Sequence, residues 1–135
     1  MKTLKPLLFI FLLIICTTVV SGQVIDPQIA AQGQLDAYNK QDIEGFLSWY
    51  SDDVEVYNFP DELLYKGKDK MRGRYSNAWK QNPGQRVVVT DRLISGNTVI
   101  DREHVTGRAN GIENYVIAVY KVDKGLITRV WFIRD

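Results

Sequence analysis

Apolar residues change their spacing along the chain, and each spacing predicts a different element. Asp26 is a helix cap and Pro27 suits a first turn. A helix is predicted from there to about Asn39, carrying Ile29, Leu35 and Tyr38. After the Lys40-Gln41 link, Asp42 caps a second helix with Ile43, Phe46, Leu47 and Tyr50 at i, i+3, i+4 and i+7. Val54 to Asn58 alternates as a strand and stops at Phe59-Pro60-Asp61, and Leu63 to Gly67 reads as a second short strand. A third helix is expected from about Asp69 to Lys80, with Met71, Tyr75, Ala78 and Trp79 on one side, ended by Asn82-Pro83-Gly84. The remainder alternates with period two. Strands are expected over Arg86 to Ser95, Thr98 to Arg108, Tyr115 to Val122 and Leu126 to Arg134, with turns at Gly96-Asn97, Asn110-Gly111 and Asp123-Lys124-Gly125. Helices first and strands last indicate an α+β domain.

One run fits neither spacing. Leu7 to Val20 is almost wholly apolar, is preceded by Lys2 and Lys5, and is followed by Val20-Ser21-Gly22, small residues of the kind a signal peptidase reads. Residues 1–22 are therefore expected to be a secretory signal peptide, the protein to be periplasmic or secreted, and the working domain to span 23–135. The run is short for a membrane span. A second possibility is a lipoprotein acylated at Cys16, although Ile15 is bulkier than that signal prefers. Cleavage after Gly22 would remove Cys16, the only cysteine of the 135-residue chain, and with it disulfides, cysteine metal sites and thiol nucleophiles.

Charge narrows the partners. The formal net charge of +1 becomes −1 without Lys2 and Lys5, which makes no electrostatic case for nucleic acid. The alternating cations Lys66, Lys68, Lys70, Arg72 and Arg74 could dock a phosphate, but a spacing of two scatters charges around a helix, and a solvated face is the simpler reading. One histidine without cysteines supplies no metal site, no glycine-rich phosphate loop is present, and no cofactor is expected.

The stretches DAYNKQDIEGFLSWYSDDVEVYNFP, YKGKDKMRGRYSNAW and GNTVIDREHVTG, followed by a last pair of strands, resemble the nuclear transport factor 2-like superfamily, in particular its SnoaL-like and ketosteroid-isomerase-like branch. The resemblance implies a curved antiparallel sheet wrapping three helices into a cone (a cystatin-like α+β roll) whose opening is a pocket. Members use that pocket for isomerisation, cyclisation, dehydration or plain binding, so fold alone does not assign chemistry. The catalytic positions of the ketosteroid isomerases fall on Asn58, Gln34 and Ala118. An amide cannot act as their general base, so that mechanism is not expected.

The same threading points Arg102, His104 and Thr106 toward the cone and leaves Asp101 and Glu103 on the convex or solvent face. His104, the single histidine, then becomes the candidate acid–base, with Tyr38 or Asn58 as a polarising partner; the plainer reading is a histidine hydrogen-bonded at the wall or exposed at a strand end. Gln34, Tyr38, Asn58, His104, Thr106, Tyr120, Val130 and Phe132 are the expected ligand-binding set, with Thr128 and Val116 also inward. Trp131, Ile133 and Ile127 are expected on the outer face, where a second copy would cover them as a homodimer. Three functions follow: an exported binder of a small, mostly apolar molecule; a SnoaL-like isomerase, cyclase or hydratase using His104; or a non-catalytic structural or partner-docking dimer.

Overall fold

A computed structural model describes residues 25–134, so the segment expected to be a signal peptide, with Cys16, lies outside the described residues. The elements run α1 (Pro27–Lys40), α2 (Ile43–Leu47), β1 (Tyr50–Asn58), β2 (Glu62–Lys66), α3 (Lys68–Gln81), β3 (Arg86–Ser95), β4 (Thr98–Thr106), β5 (Asn114–Asp123) and β6 (Leu126–Arg134). The three helices pack against one six-stranded curved sheet of order β2-β1-β6-β5-β4-β3, antiparallel except where β1 runs parallel to β6.

The local signals act largely as expected. The Asp26 side chain accepts the Gln28 amide and Asp42 accepts the Gly45 amide, so each satisfies an otherwise unpaired N–H at a helix start. The α3 helix begins after Gly67, whose φ of +94° is costly for any residue with a side chain. The second helix is shorter than its stripe. Its last turn ends at Leu47, and the Ile127 amide donates to the Trp49 carbonyl at 2.8 Å. Pairing with β6 thus captures the chain, and Tyr50 becomes the first residue of β1 rather than the end of a helix. Its ring still enters the interior, 2% exposed.

The core lies between the helices and the concave sheet face. Phe46 is its centre, fully buried, with its ring centroid 4.5 Å from Tyr75 and 5.0 Å from Tyr50. Burial of a ring of this size stabilises by roughly 1.5–3 kcal/mol. Val54 and Val56 of β1, Ala118 and Tyr120 of β5, and Val130 of β6 close the apolar layer from the sheet side. Ile127 belongs to this layer, fully buried, rather than to the outer face. The β5–β6 register skips Thr128, and that irregularity reverses the inward–outward phase at the start of β6. Thr128 itself donates to the Lys121 carbonyl.

Candidate functional site

At one end the helices and sheet part to leave a cavity of about 510 Å³. Its sheet side is lined by Glu103 and Val105 of β4, Val116 and Tyr120 of β5, and Phe132 and Arg134 of β6. Burial alternates along β4 with Val99, Asp101, Glu103 and Val105 inward, the opposite phase to the expected one. Arg102, His104 and Thr106 occupy the outer face. Alternation defines two faces without saying which is buried, and two carboxylates argued for solvent. The valines at 99 and 105 share their parity and were the signal for burial.

Each inward carboxylate has its own compensation. Asp101 is completely buried and receives a bidentate fork from Arg92, Nε to Oδ1 at 2.7 Å and a second nitrogen to Oδ2 at 2.8 Å. The Arg92 guanidinium also donates to Gln32 of α1 at 3.0 Å. Glu103, 7% exposed, has no such cation. Its Oε1 accepts the Tyr120 hydroxyl proton at 2.7 Å. Behind Tyr120 the chain of donors continues: Gln34 Nε2 donates to the Tyr120 oxygen at 3.2 Å, and Tyr50 donates to Gln34 Oε1 at 3.1 Å. Every donor in this relay points toward Glu103.

Burial pushes the Glu103 carboxyl up to about 7; the Tyr120 bond pulls it down, Asp101 raises it further, and Arg92 pulls it down. Glu103 is therefore near half-ionised at neutral pH, the condition under which one carboxyl can both take and give a proton. Burial also holds the Tyr120 and Tyr50 hydroxyls well above their ordinary value, so both stay protonated donors. Across the cavity, the Tyr38 oxygen accepts Gln85 Nε2 at 2.5 Å, and its own proton has no acceptor among the described residues.

Of the expected binding set, Gln34, Tyr38, Tyr120 and Phe132 line the cavity. Four members lie elsewhere. Val130 is in the core, 2% exposed. Asn58 sits at the end of β1, donating to Glu62 at 3.0 Å and accepting Arg134 at 2.6 Å. Thr106 faces outward, opposite Arg86 of β3. His104 stacks on Tyr115 with ring centroids 4.6 Å apart, and its Nε2 lies 3.0 Å from Glu113. It is an outer-face side chain and cannot serve as acid–base in the cavity. Among the lining residues that sequence reasoning passed over are Glu103, Tyr50, Tyr65, Gln85, Arg108 and Arg134, whereas Arg74 was read there only as one of the alternating cations. The alternating cations before and within α3 are mostly paired: Lys66 with Glu55, Lys68 with Asp52 and Arg72 with Glu44.

The loop after β4 is held close to the segment after α3. Gly107, at φ +70°, lies so near the Gly84 carbonyl that a Cβ would overlap it, and Asn82 Oδ1 accepts the Ala109 amide at 3.0 Å. This approach brings Gln85 and Arg108 to the same rim.

A curved sheet enclosing a polar-floored cavity against helices defines the cystatin-like α+β class of small-molecule pockets. The SnoaL-like domain family matches residues 31–130, and the chain belongs to it. An uncharacterised cystatin-fold protein from Novosphingobium aromaticivorans is 28% identical, with a TM-score of 0.75 over 82% of this chain and 99% of that one. An NTF2-like protein of unknown function from Cytophaga hutchinsonii is 16% identical, with a TM-score of 0.69 over 82% and 91%. An LEH-like epoxide hydrolase from Mycobacterium tuberculosis is 18% identical, with a TM-score of 0.69 over 78% and 80%. At those last two identities the likeness is one of fold. No curated protein matches the chain.

Proposed function

We propose that the domain is a proton-transfer enzyme acting on a small, largely apolar molecule, with Glu103 as the acid–base. One observation carries this reading: a carboxyl brought to about 7 by burial, at the floor of an open cavity, with a single hydrogen bond from Tyr120. The ionised carboxylate would take a proton from an activated C–H of the ligand. The electron pair left behind would delocalise onto a ligand oxygen accepting the free Tyr38 proton. Glu103 would then return its proton at another carbon, which is the bookkeeping of an isomerisation, or of the first step of a cyclisation or elimination. Leu35, Leu64, Val105, Val116 and Phe132 supply an apolar wall for the body of the ligand.

The test is solvent deuterium uptake. An apolar bicyclic ketone such as tetralone is incubated in heavy water and followed by proton NMR. Uptake catalysed by the wild type and abolished in Glu103→Gln, with tetralone still bound, is the expected result. Equal uptake by both proteins would leave the second reading, a binder that holds its ligand without chemistry.

Export and dimerisation belong to the same proposal. A second copy is the expected cover for the outer sheet face, where the pairing register aligns Tyr57, Trp131, Val119, Ile100 and Leu93 across five strands, with Ile133 and Ile117 in the next row. A row carrying both Glu55 and Arg129 borders this band, so the face offers both charge signs to a copy of itself. Native mass spectrometry of the exported protein and of Trp131→Glu reads the subunit number and the first residue together. A wild-type monomer would remove the dimer, and a chain beginning at Met1 would remove the export.

A further inference from the structure

The rim of the cavity is basic, and among the described residues no acid is paired with its cations. Arg74 of α3, Arg108 after β4 and Arg134 of β6 all line the opening, while Glu103 is the only carboxylate of the lining. The ion pairs among the described residues involve none of the three. This contrasts with the neighbouring Lys66, Lys68 and Arg72, each on a carboxylate. Two of the rim guanidinium groups are positioned by aromatic rings instead. Arg74 lies over the Tyr65 ring, 4.7 Å from its centroid, and Arg134 lies over Phe132 at 4.8 Å. Arg134 also donates to the neutral amide of Asn58. Stacking orients a guanidinium fork without neutralising it, and leaves donor N–H groups for an incoming anion.

Arg74 and Arg134 also act on one point. Burial pushes the Tyr65 hydroxyl up to about 12, and the charges of both arginines pull against that rise. Both charges therefore reach the same hydroxyl, Arg74 from over the Tyr65 ring and Arg134 from over Phe132. The Arg108 charge is felt instead at Tyr38.

Given the pocket reading above, on which this step rests, we infer that the ligand is an amphipathic anion. Its carboxylate, sulfonate or phosphate group is held by Arg74 and Arg134 beside the Tyr65 hydroxyl, and its apolar body extends along Leu64 and Phe132 toward Glu103. A neutral apolar ligand would leave this side of the rim unused. An anion would be steered in by three cations and oriented with its opposite end at the carboxyl.

The experiment compares two probes of nearly equal shape, anilinonaphthalene sulfonate and its uncharged parent phenylnaphthylamine, titrated by fluorescence at low salt. The wild type is expected to bind the sulfonate at least about tenfold more tightly than the parent. Arg74→Gln and Arg134→Gln should each weaken the sulfonate by about tenfold, the value of one charge-assisted contact, and leave the parent within about twofold. Leu64→Trp, which fills the opening, should weaken both probes and so separates the cavity from dye adhering to the outer sheet face. Thermal melts confirm that each variant is folded. Equal affinity for the two probes in the wild type, or a sulfonate preference that survives the Arg74→Gln/Arg134→Gln double substitution, overturns the anion and leaves the pocket standing. Binding of both probes untouched by Leu64→Trp overturns the pocket and the anion together.

Discussion

Glu103→Gln should make the protein more stable, and only at high pH. The folded state holds this carboxyl at about 7 against an ordinary 4.5. Between those values the native chain binds more protons than the unfolded one, so stability falls as pH rises through that window. The difference of about 2.5 pH units corresponds to about 3 kcal/mol, present in full above pH 7 and absent below about pH 4.5. Glutamine has the same shape, still accepts the Tyr120 proton and carries no charge to desolvate. Urea denaturation of wild type and variant at about pH 4.5 and about pH 8.5 measures the effect directly. The expected outcome is near-equal stability in acid and a variant more stable by about 3 kcal/mol in base. A difference that does not change with pH would mean that Glu103 titrates like a solvated carboxylate. The relay from Tyr50 would then be an ordinary structural network, and the proton-transfer reading would lose its foundation.

Three further outcomes follow from the same geometry. Arg92→Met leaves Asp101 buried without its fork and should destabilise by about 3–5 kcal/mol in a denaturant melt; a loss under about 1 kcal/mol would refute the buried ion pair. Tyr120→Phe removes the one hydrogen bond that lowers Glu103, so the midpoint of the pH profile of deuterium uptake should move upward, whereas a downward move would contradict the assignment. His104→Ala should leave uptake and probe binding within about twofold of wild type, because the ring lies against Tyr115 on the far side of the sheet, and a large loss would place it back at the site.

The helices, the strands and their order were legible because each depends on nearest neighbours in sequence: the Asp26 and Asp42 caps, the Ile43-Phe46-Leu47 stripe, the proline at 60, and the glycine turns. Helical spacing put Gln34 and Tyr38 on one face and alternation grouped Phe132 with Val130, but the inward direction of these faces and of Tyr120 came from the family resemblance. What stayed hidden depends on partners far along the chain. Nothing near Asp101 in sequence announces Arg92 as its counter-ion, and nothing near Glu103 announces Tyr120. Without those partners two carboxylates on a strand read as solvent-facing, and the whole strand turns over with His104 pointing inward. The exclusion of Thr128 from the β5–β6 pairing is likewise invisible locally, and it moved Ile127 from the outer face to the core.

The parallel pairing of β1 with β6 has a kinetic meaning. It joins groups as distant as Glu55 and Arg129, 74 positions apart, and β6 lies between β1 and β5 at the centre of the sheet. Hairpins β3–β4, β4–β5 and β5–β6 can close early over short loops, but the β1–β6 pairing that unites the two halves has to await a long loop closure. Leu64 and Tyr65 of β2 meet Phe132 and Arg134 at the cavity only with that step. A chain that has collapsed around its hairpins would therefore still lack a binding site, and occupancy of the cavity would report that folding has finished.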